Sequence, residues 1–241
     1  MDRNSNAYTF LFAIALVAVV ASALAFAATS LQPAQAKNVK EEKMQNILGT
    51  VGIETSRDSA QVLFNKYIVD QVALSSDGTP KADVNAFEVD LKKELKKPVE
   101  EQAFPLYVAN VEGSKYYVVP LRGKGLWDAI WGYIALKDDV NTIKGAVFDH
   151  KGETPGLGAE ITQGWFRKRF EEEKIFDGDG NFIGVSVAKG YQGGDNKDDN
   201  AVDAISGATI TGDGVTDMIS ERLKNYLPYF EKNTNIKVAM K

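Results

Sequence analysis

Pro105-Leu106-Tyr107-Val108-Ala109-Asn110-Val111 and Lys115-Tyr116-Tyr117-Val118-Val119-Pro120-Leu121, joined through Glu112-Gly113-Ser114, carry the clearest structural signal in the chain. Each run is apolar, aromatic and β-branched, and a short glycine-bearing turn between two such runs is the pattern of a β-hairpin. Trp131 to Leu136 and Thr142 to Phe148 repeat the arrangement around Lys137-Asp138-Asp139. Before these strands, residues 57–72 suggest a helix, with Val62, Leu63, Tyr67 and Val69 among its apolar positions. Ser75-Ser76-Asp77-Gly78-Thr79-Pro80 reads as a turn, and the lysine-rich piece Leu91 to Lys97, stopped by Pro98, as a solvated amphipathic segment. After them, residues 159–174 return to helical spacing, with Ala159, Thr162, Trp165, Phe166 and Phe170 on one face. Phe182 to Ala188 reads as a further strand. A last helix carries Val215, Met218, Ile219, Leu223, Tyr226, Leu227 and Phe230, with Thr211 or Asp213 able to cap its start. Strand pairs with flanking helices predict an α+β domain with antiparallel strand pairs rather than a doubly wound parallel sheet.

The amino-terminal end is different in kind. YTFLFAIALVAVVASALAFAA, residues 8–28, holds no charge. As an α-helix this run spans about 31 Å, close to the hydrocarbon thickness of a bilayer. Ala34-Gln35-Ala36 resembles a signal-peptidase site, so a cleaved leader is the alternative. The run exceeds the usual apolar core of a leader, and only Arg3 is basic before it. A retained anchor in contact with membrane lipid is therefore the expectation. The resulting division is a tail over 1–7, a membrane helix over 8–28, a linker and membrane-proximal helix over 29–55, and an extramembrane domain over 56–241. Met44, Ile47, Leu48 and Val51 mark the helix within the third of these segments. Lys37, Lys40 and Lys43, mixed with Glu41 and Glu42, leave the orientation undecided by charge.

Composition removes several functions. The chain of 241 residues has 44% hydrophobic and 25% charged residues, with a mean hydropathy of −0.23. Its 28 basic against 33 acidic residues give a net charge of −5, which argues against nucleic-acid binding through a basic face. With no cysteine and one histidine, His150, there can be no disulfide, thiolate nucleophile, cysteine-held metal or multi-histidine metal site. Asp177-Gly178-Asp179-Gly180-Asn181 looks like a calcium loop at first. Phe182 stands where such a loop wants glycine and Ala188 where it wants glutamate, so a hairpin turn is the better reading. No G-x-x-x-x-G-K-[ST], G-x-G-x-x-G or G-x-S-x-G occurs, and neither a catalytic residue nor a metal ligand is expected.

Two clusters of small residues do not look like core. One is Gly152-Glu153-Thr154-Pro155-Gly156-Leu157-Gly158, between a strand and a helix; the other is Asp203-Ala204-Ile205-Ser206-Gly207-Ala208-Thr209, before the last helix. Glycines allow close backbone approach, and helix N-termini favour phosphate, so both clusters suit an anionic or planar ligand. Glycine-rich loops with no ligand remain an open reading of these residues alone.

Asp203 with Ser206-Gly207-Ala208-Thr209 resembles the D-x-x-[ST]-G-A-[ST] motif of FMN-binding domains, and His150-Lys151-Gly152-Glu153-Thr154-Pro155-Gly156-Leu157-Gly158 resembles their H-x-x-E-T-P-G-L-G segment. Pro120 to Trp127, followed by Trp131-Gly132-Tyr133, is similar to the NqrC family of Na⁺-translocating NADH:quinone oxidoreductases. The resemblance implies covalent FMN, moved from FAD by a flavin transferase onto the hydroxyl of Thr209. It implies a single-pass protein of the bacterial inner membrane with its flavin domain on the periplasmic side. Such a protein carries electrons between redox centres of neighbouring subunits during NADH oxidation, quinone reduction and Na⁺ export, and has neither the NADH nor the quinone site. A phosphoester leaves the ring free to take electrons. The implied flavin neighbours are Ser206, Gly207, Ala208, Asp203, Glu153, Thr154, Gly156, Leu157, Gly158 and Trp127. Arg122, Lys124 and Lys151 are candidates to balance the phosphate. The rival readings are the flavoprotein RnfG of the related Rnf ferredoxin:NAD⁺ complex and an anchored periplasmic binding module without cofactor.

Overall fold

The computed structural model describes residue 3, residues 5–194, residues 196–234 and residue 236. Residues 1, 2 and 4 of the expected tail lie outside the described residues. In chain order the elements are α1 (Asn6–Thr50), α2 (Arg57–Tyr67), β1 (Ile68–Leu74), α3 (Leu91–Glu94), β2 (Phe104–Val111), β3 (Ser114–Lys124), β4 (Ala129–Lys137), β5 (Ile143–His150), α4 (Gly164–Arg167), β6 (Ser186–Ala188), β7 (Ala201–Asp203), α5 (Thr209–Lys224) and α6 (Leu227–Asn233). Backbone contacts divide the chain into a unit over Met1–Lys43 and a unit over Met44–Lys241.

The first unit holds most of α1, including the one stretch among the described residues long and apolar enough to cross a membrane. Its side chains are exposed, Phe10, Leu16, Val19 and Phe26 among them. The Thr9 hydroxyl folds back onto the Ser5 carbonyl at 3.3 Å, as expected of a hydroxyl in an apolar helix. The linker expected from residue 29 onward is absent: the chain stays helical, with Pro33 inside the helix. Alanine, glutamine, lysine and glutamate dominate residues 32–43 and are strong helix formers, Lys37 and Glu41 pair at 3.6 Å one turn apart, and one proline removes a single hydrogen bond.

The second unit is built on an antiparallel sheet in the order β1-β2-β3-β4-β5, each strand beside its neighbour in sequence. The β2–β3 turn closes at Val111 opposite Ser114, and β3 returns along β4 from Lys124 opposite Ala129. Alternation within the strands divides their side chains between two buried layers. Leu106, Val108, Tyr117, Val119, Leu121, Ile134 and Leu136 face α5, α6 and the phenylalanines of residues 166–170. Tyr107, Ala109, Val118 and Ala135 face Met44, Ile47, Leu48 and Val51, together with Ala60 and Phe64 of α2. Two covered faces explain why β2 to β4 read as continuous apolar runs instead of alternating ones.

The structure corrects four further sequence readings. Helix α2 ends at Tyr67, and Ile68–Leu74 forms β1 against β2 instead of more helix. Ile68 and Val69 are β-branched, and the edge of β2 offers a ladder. Residues 159–174 form short pieces, with 3₁₀ turns at Gly158–Thr162 and Lys168–Phe170 around α4, because Gln163 is extended (ψ 143°) before Gly164. Ile161, Phe166 and Phe170 are buried there, while Trp165 is exposed. Of residues 182–188 only Ser186–Ala188 forms a strand, and it pairs with β7 in parallel. The last helix is two helices separated at Asn225–Tyr226, where Tyr226 donates its hydroxyl to the Pro105 carbonyl at 2.9 Å. The Asp177–Asn181 segment is the expected turn, bringing Phe176 opposite Phe182. The α+β fold class stands.

Candidate functional site

Three segments far apart in sequence meet at one end of β3 and β5: the Lys124–Trp127 turn, the loop of residues 150–158, and the start of α5. Their meeting point is Glu153, which is only 4% exposed. Its Oε1 accepts the backbone N–H of Trp127 at 3.0 Å, and its Oε2 accepts the Thr211 hydroxyl at 2.6 Å. The Trp127 indole N–H donates to the Thr154 hydroxyl at 3.2 Å. The loop itself is steadied by His150, whose Nδ1 accepts the Glu153 N–H at 3.1 Å. Glycines make the approach possible. A Cβ at Gly125 would lie 2.5 Å from Glu153 Oε1, and one at Gly158 would press on the same carboxylate and lie 2.5 Å from Thr211 Oγ1.

Helix α5 begins at Thr209, not near Thr211 or Asp213 as a capping hydroxyl or carboxylate there would require. Ala208 occupies the capping position, and no side chain caps this helix among the described residues. The first-turn N–H groups of Thr209, Ile210 and Thr211 therefore stand at the positive end of a 16-residue helix. Thr209 is exposed. Gly207, with φ +76°, turns the chain into the helix and packs so closely on Leu157 that a Cβ would lie 2.7 Å from Leu157 Cδ2. The two small-residue clusters thus touch. Arg169 supports the second one from below, donating to the carbonyl of Asp203 at 2.6 Å while stacking on Trp165 at 4.8 Å.

The three hydroxyls near the end of this cluster stand in different surroundings. Thr211 is buried at 1% exposure and engaged with Glu153; Ser206 and Thr209 are exposed. The three converging segments leave apolar side chains open to solvent: Trp127 at 68% exposure, Ile210 at 57%, Leu126 and Leu157. Of the cations named from the sequence, Lys151 pairs with Asp128 at 2.6 Å, holding that carboxyl below the usual carboxylate range, and Arg122 lies over the Trp131 ring at 5.8 Å. Lys124 is exposed beside the site. Glu153, expected among the flavin neighbours, lies beneath the surface as a fastener. The Glu153–Thr211–Trp127 connection is not visible in sequence, because its partners are 58 and 26 residues away. No cluster of metal-ligating side chains exists among the described residues.

An exposed threonine on an uncapped helix start, with a glycine turn before it and open apolar side chains on the converging segments, fits a phosphate joined to a flat apolar ring. Residues 125–224 match the FMN-binding domain, which sets the class of protein. Over 251 residues the chain is 30% identical to the C subunit of the Na(+)-translocating NADH-quinone reductase of Neisseria meningitidis serogroup A, covering 96% of this chain and 95% of that protein. It is 31% identical to the same protein of Vibrio anguillarum, over 89% of each. The crystal structure of the C subunit from Parabacteroides distasonis superimposes with a TM-score of 0.74 at 37% identity, covering 83% of this chain and 96% of that one. NqrC of Shewanella oneidensis gives 0.70 at 26% identity, covering 81% and 98%. The chain belongs to the NqrC family, the C subunits of Na(+)-translocating NADH-quinone reductases.

Proposed function

We propose that this chain is the membrane-anchored flavin subunit of a Na⁺-translocating NADH:quinone reductase, bearing FMN as a phosphoester on Thr209 and relaying electrons between redox centres of neighbouring subunits. The observation that carries the reading is Thr209 itself: exposed, first in α5, and set where no side chain among the described residues caps the helix N-terminus. When bound, FMN supplies one- and two-electron chemistry. The N–H groups of Ile210 and Thr211 suit the phosphate, and Lys124 adds a positive charge near it. Leu157, Trp127 and Ile210 offer apolar surface for the ring, while Gly156, Gly158 and Gly207 keep the backbone low beneath it. Ser206, Ala208, Asp203 and Thr154 shape the same rim. Thr211 is an unsuitable acceptor because its hydroxyl is buried and already given to Glu153.

The NADH and quinone sites belong in this proposal to other subunits, a flavin transferase is the partner in maturation, and residues 8–28 hold the chain in the bacterial inner membrane with the flavin domain on the periplasmic side. Thr209→Ala should abolish covalent flavin, read by intact mass after co-expression with the transferase. It should leave stability within about 0.5 kcal/mol, since the residue is exposed. Peptide mapping that placed the adduct on Ser206 would overturn the assignment. The full chain should leave membranes only with detergent; a mature protein beginning at Lys37 would show the apolar run to be a cleaved leader.

A further inference from the structure

We infer that Glu153 is a positioning residue for flavin attachment: from the buried side of α5 it holds the helix start, so that the Thr209 hydroxyl and the free first-turn N–H groups face the incoming phosphate together. The inference rests on the attachment reading above and adds the residue that makes the acceptor ready.

Burying a carboxylate away from any cation is costly, and such a group persists where donors surround it. Glu153 has two such donors, the Trp127 N–H and the Thr211 hydroxyl. Helix starts are ordinarily restrained by an Asp, Asn, Ser or Thr at the capping position, whose oxygen takes up a first-turn N–H. The chain does this elsewhere: Asn85 accepts from Phe87 N, and Asp90 accepts from Lys92 N. At α5 the capping position is Ala208 and the restraint comes from Glu153, through the side chain of the third helical residue. The two arrangements differ in one respect that matters for a phosphate. A local cap would occupy the N–H groups that an anion needs, whereas Glu153 restrains the turn through Thr211 Oγ1 and leaves them open. Gly125 and Gly158 give the carboxylate its space, and the same carboxylate fixes Trp127 at the rim.

In the transfer, Thr209 Oγ bonds to the FMN phosphorus of FAD and the bond from that phosphorus to the bridging oxygen breaks. AMP departs with the bridging oxygen, and the hydroxyl proton passes to a base of the transferase. Glu153 touches none of these atoms; it acts through Thr211 and the helix.

The test is a time course of intact mass for the full-length chain, in detergent, with purified flavin transferase and FAD. Thermal unfolding of every variant is recorded alongside. Glu153→Ala should slow flavin uptake about tenfold or more while still folded at the assay temperature, as loss of orientation does. Thr211→Val, which keeps the shape and removes the hydroxyl, should slow it about threefold, and the double variant should be no slower than Glu153→Ala, because both break one connection. Glu153→Gln can accept from Trp127 N–H and donate to Thr211 Oγ1, and should recover to within about threefold of the wild-type rate, a rescue that orientation predicts. Wild-type rates in Glu153→Ala or in Thr211→Val overturn the inference, as does an additive double variant. If Glu153→Ala fails to fold, Thr211→Val decides the matter alone: uptake about threefold slower supports the inference and a wild-type rate overturns it. A wild-type chain that takes up no flavin overturns the attachment reading, and this inference falls with it; a flavinylated wild type with indifferent variants overturns the inference alone.

Discussion

Two loops of the sheet domain are each held by a single carboxylate, and they are held in opposite ways. At the β4–β5 turn, Asp139 gathers donors from its own neighbourhood: the N–H groups of Asn141 and Thr142 at 3.0 and 2.8 Å, and the Thr142 hydroxyl. In the loop after β5, Glu153 gathers donors from the far ends of the domain and is buried in doing so. The first carboxylate bonds only within its own turn among the described residues, and the segment after it reaches that turn through Thr142 and Asn141, which accept from Lys174 Nζ at 2.7 Å and from Ile175 N at 3.1 Å. The second joins three segments, one of which carries Thr209. A local carboxylate shapes a loop; a long-range one makes a loop answerable to a distant helix.

The contrast predicts effects of different size. The largest should come from Gly158→Ala, whose methyl would press on both Glu153 and Thr211 Oγ1. Overpacking of this kind costs about 1–3 kcal/mol, measurable by urea unfolding. A variant as stable as wild type would mean that the buried connection gives way easily, and the contrast would fail. Leu157→Ala in the same loop should lower stability by no more than about 1 kcal/mol, since the side chain is 40% exposed. It should leave flavin attachment intact and change the flavin absorbance spectrum or midpoint potential; unchanged values would place the ring elsewhere. The smallest effect belongs to Asp139. Partial burial pushes its carboxyl up, but the hydrogen bonds from Thr142 and Asn141 outweigh this and hold it below the usual carboxylate value. A lowered folded value means that the group stabilises above the unfolded pKa of about 3.9 and loses that contribution as pH falls through the folded value. Asp139→Asn should therefore lower the melting temperature slightly at neutral pH, where the ionised group contributes in full, and flatten part of the drop between about pH 5 and pH 3, so that the two proteins converge in acid. A pH profile identical to wild type would remove Asp139 from the comparison.

The same division between local and distant partners explains what is legible in the sequence. Strands β2 to β5 are readable because their apolar runs and short turns are complete within the segment. The small-residue clusters around Gly156 and Gly207 are readable because glycine density is itself local. Strand β1 is not, since Ile68–Leu74 follows α2 without a break and its Asp70 and Gln71 mimic a helix surface. The break at Gln163 and the separation of α5 from α6 are also hidden, because apolar spacing carries over both. The start of α5 at Thr209 is hidden for a different reason: the usual capping residues point to Thr211 or Asp213, whereas Thr211 faces inward to Glu153.

Helix α5 and strand β3 meet backbone to backbone. A Cβ at Gly123 would lie 2.7 Å from the Cβ of Met218, and one at Gly214 would collide with the Lys124 carbonyl. Two missing side chains act here as a keyway. The helix can neither roll about its long axis nor slide along the strand without driving main-chain atoms together. Successive residues of a helix are offset by a fixed angle, so the close approach at Gly214 sets the bearing of the helix body, and the Glu153 bond to Thr211 carries that bearing into the first turn. The bearing of Thr209 is thus inherited from contacts in which Thr209 takes no part.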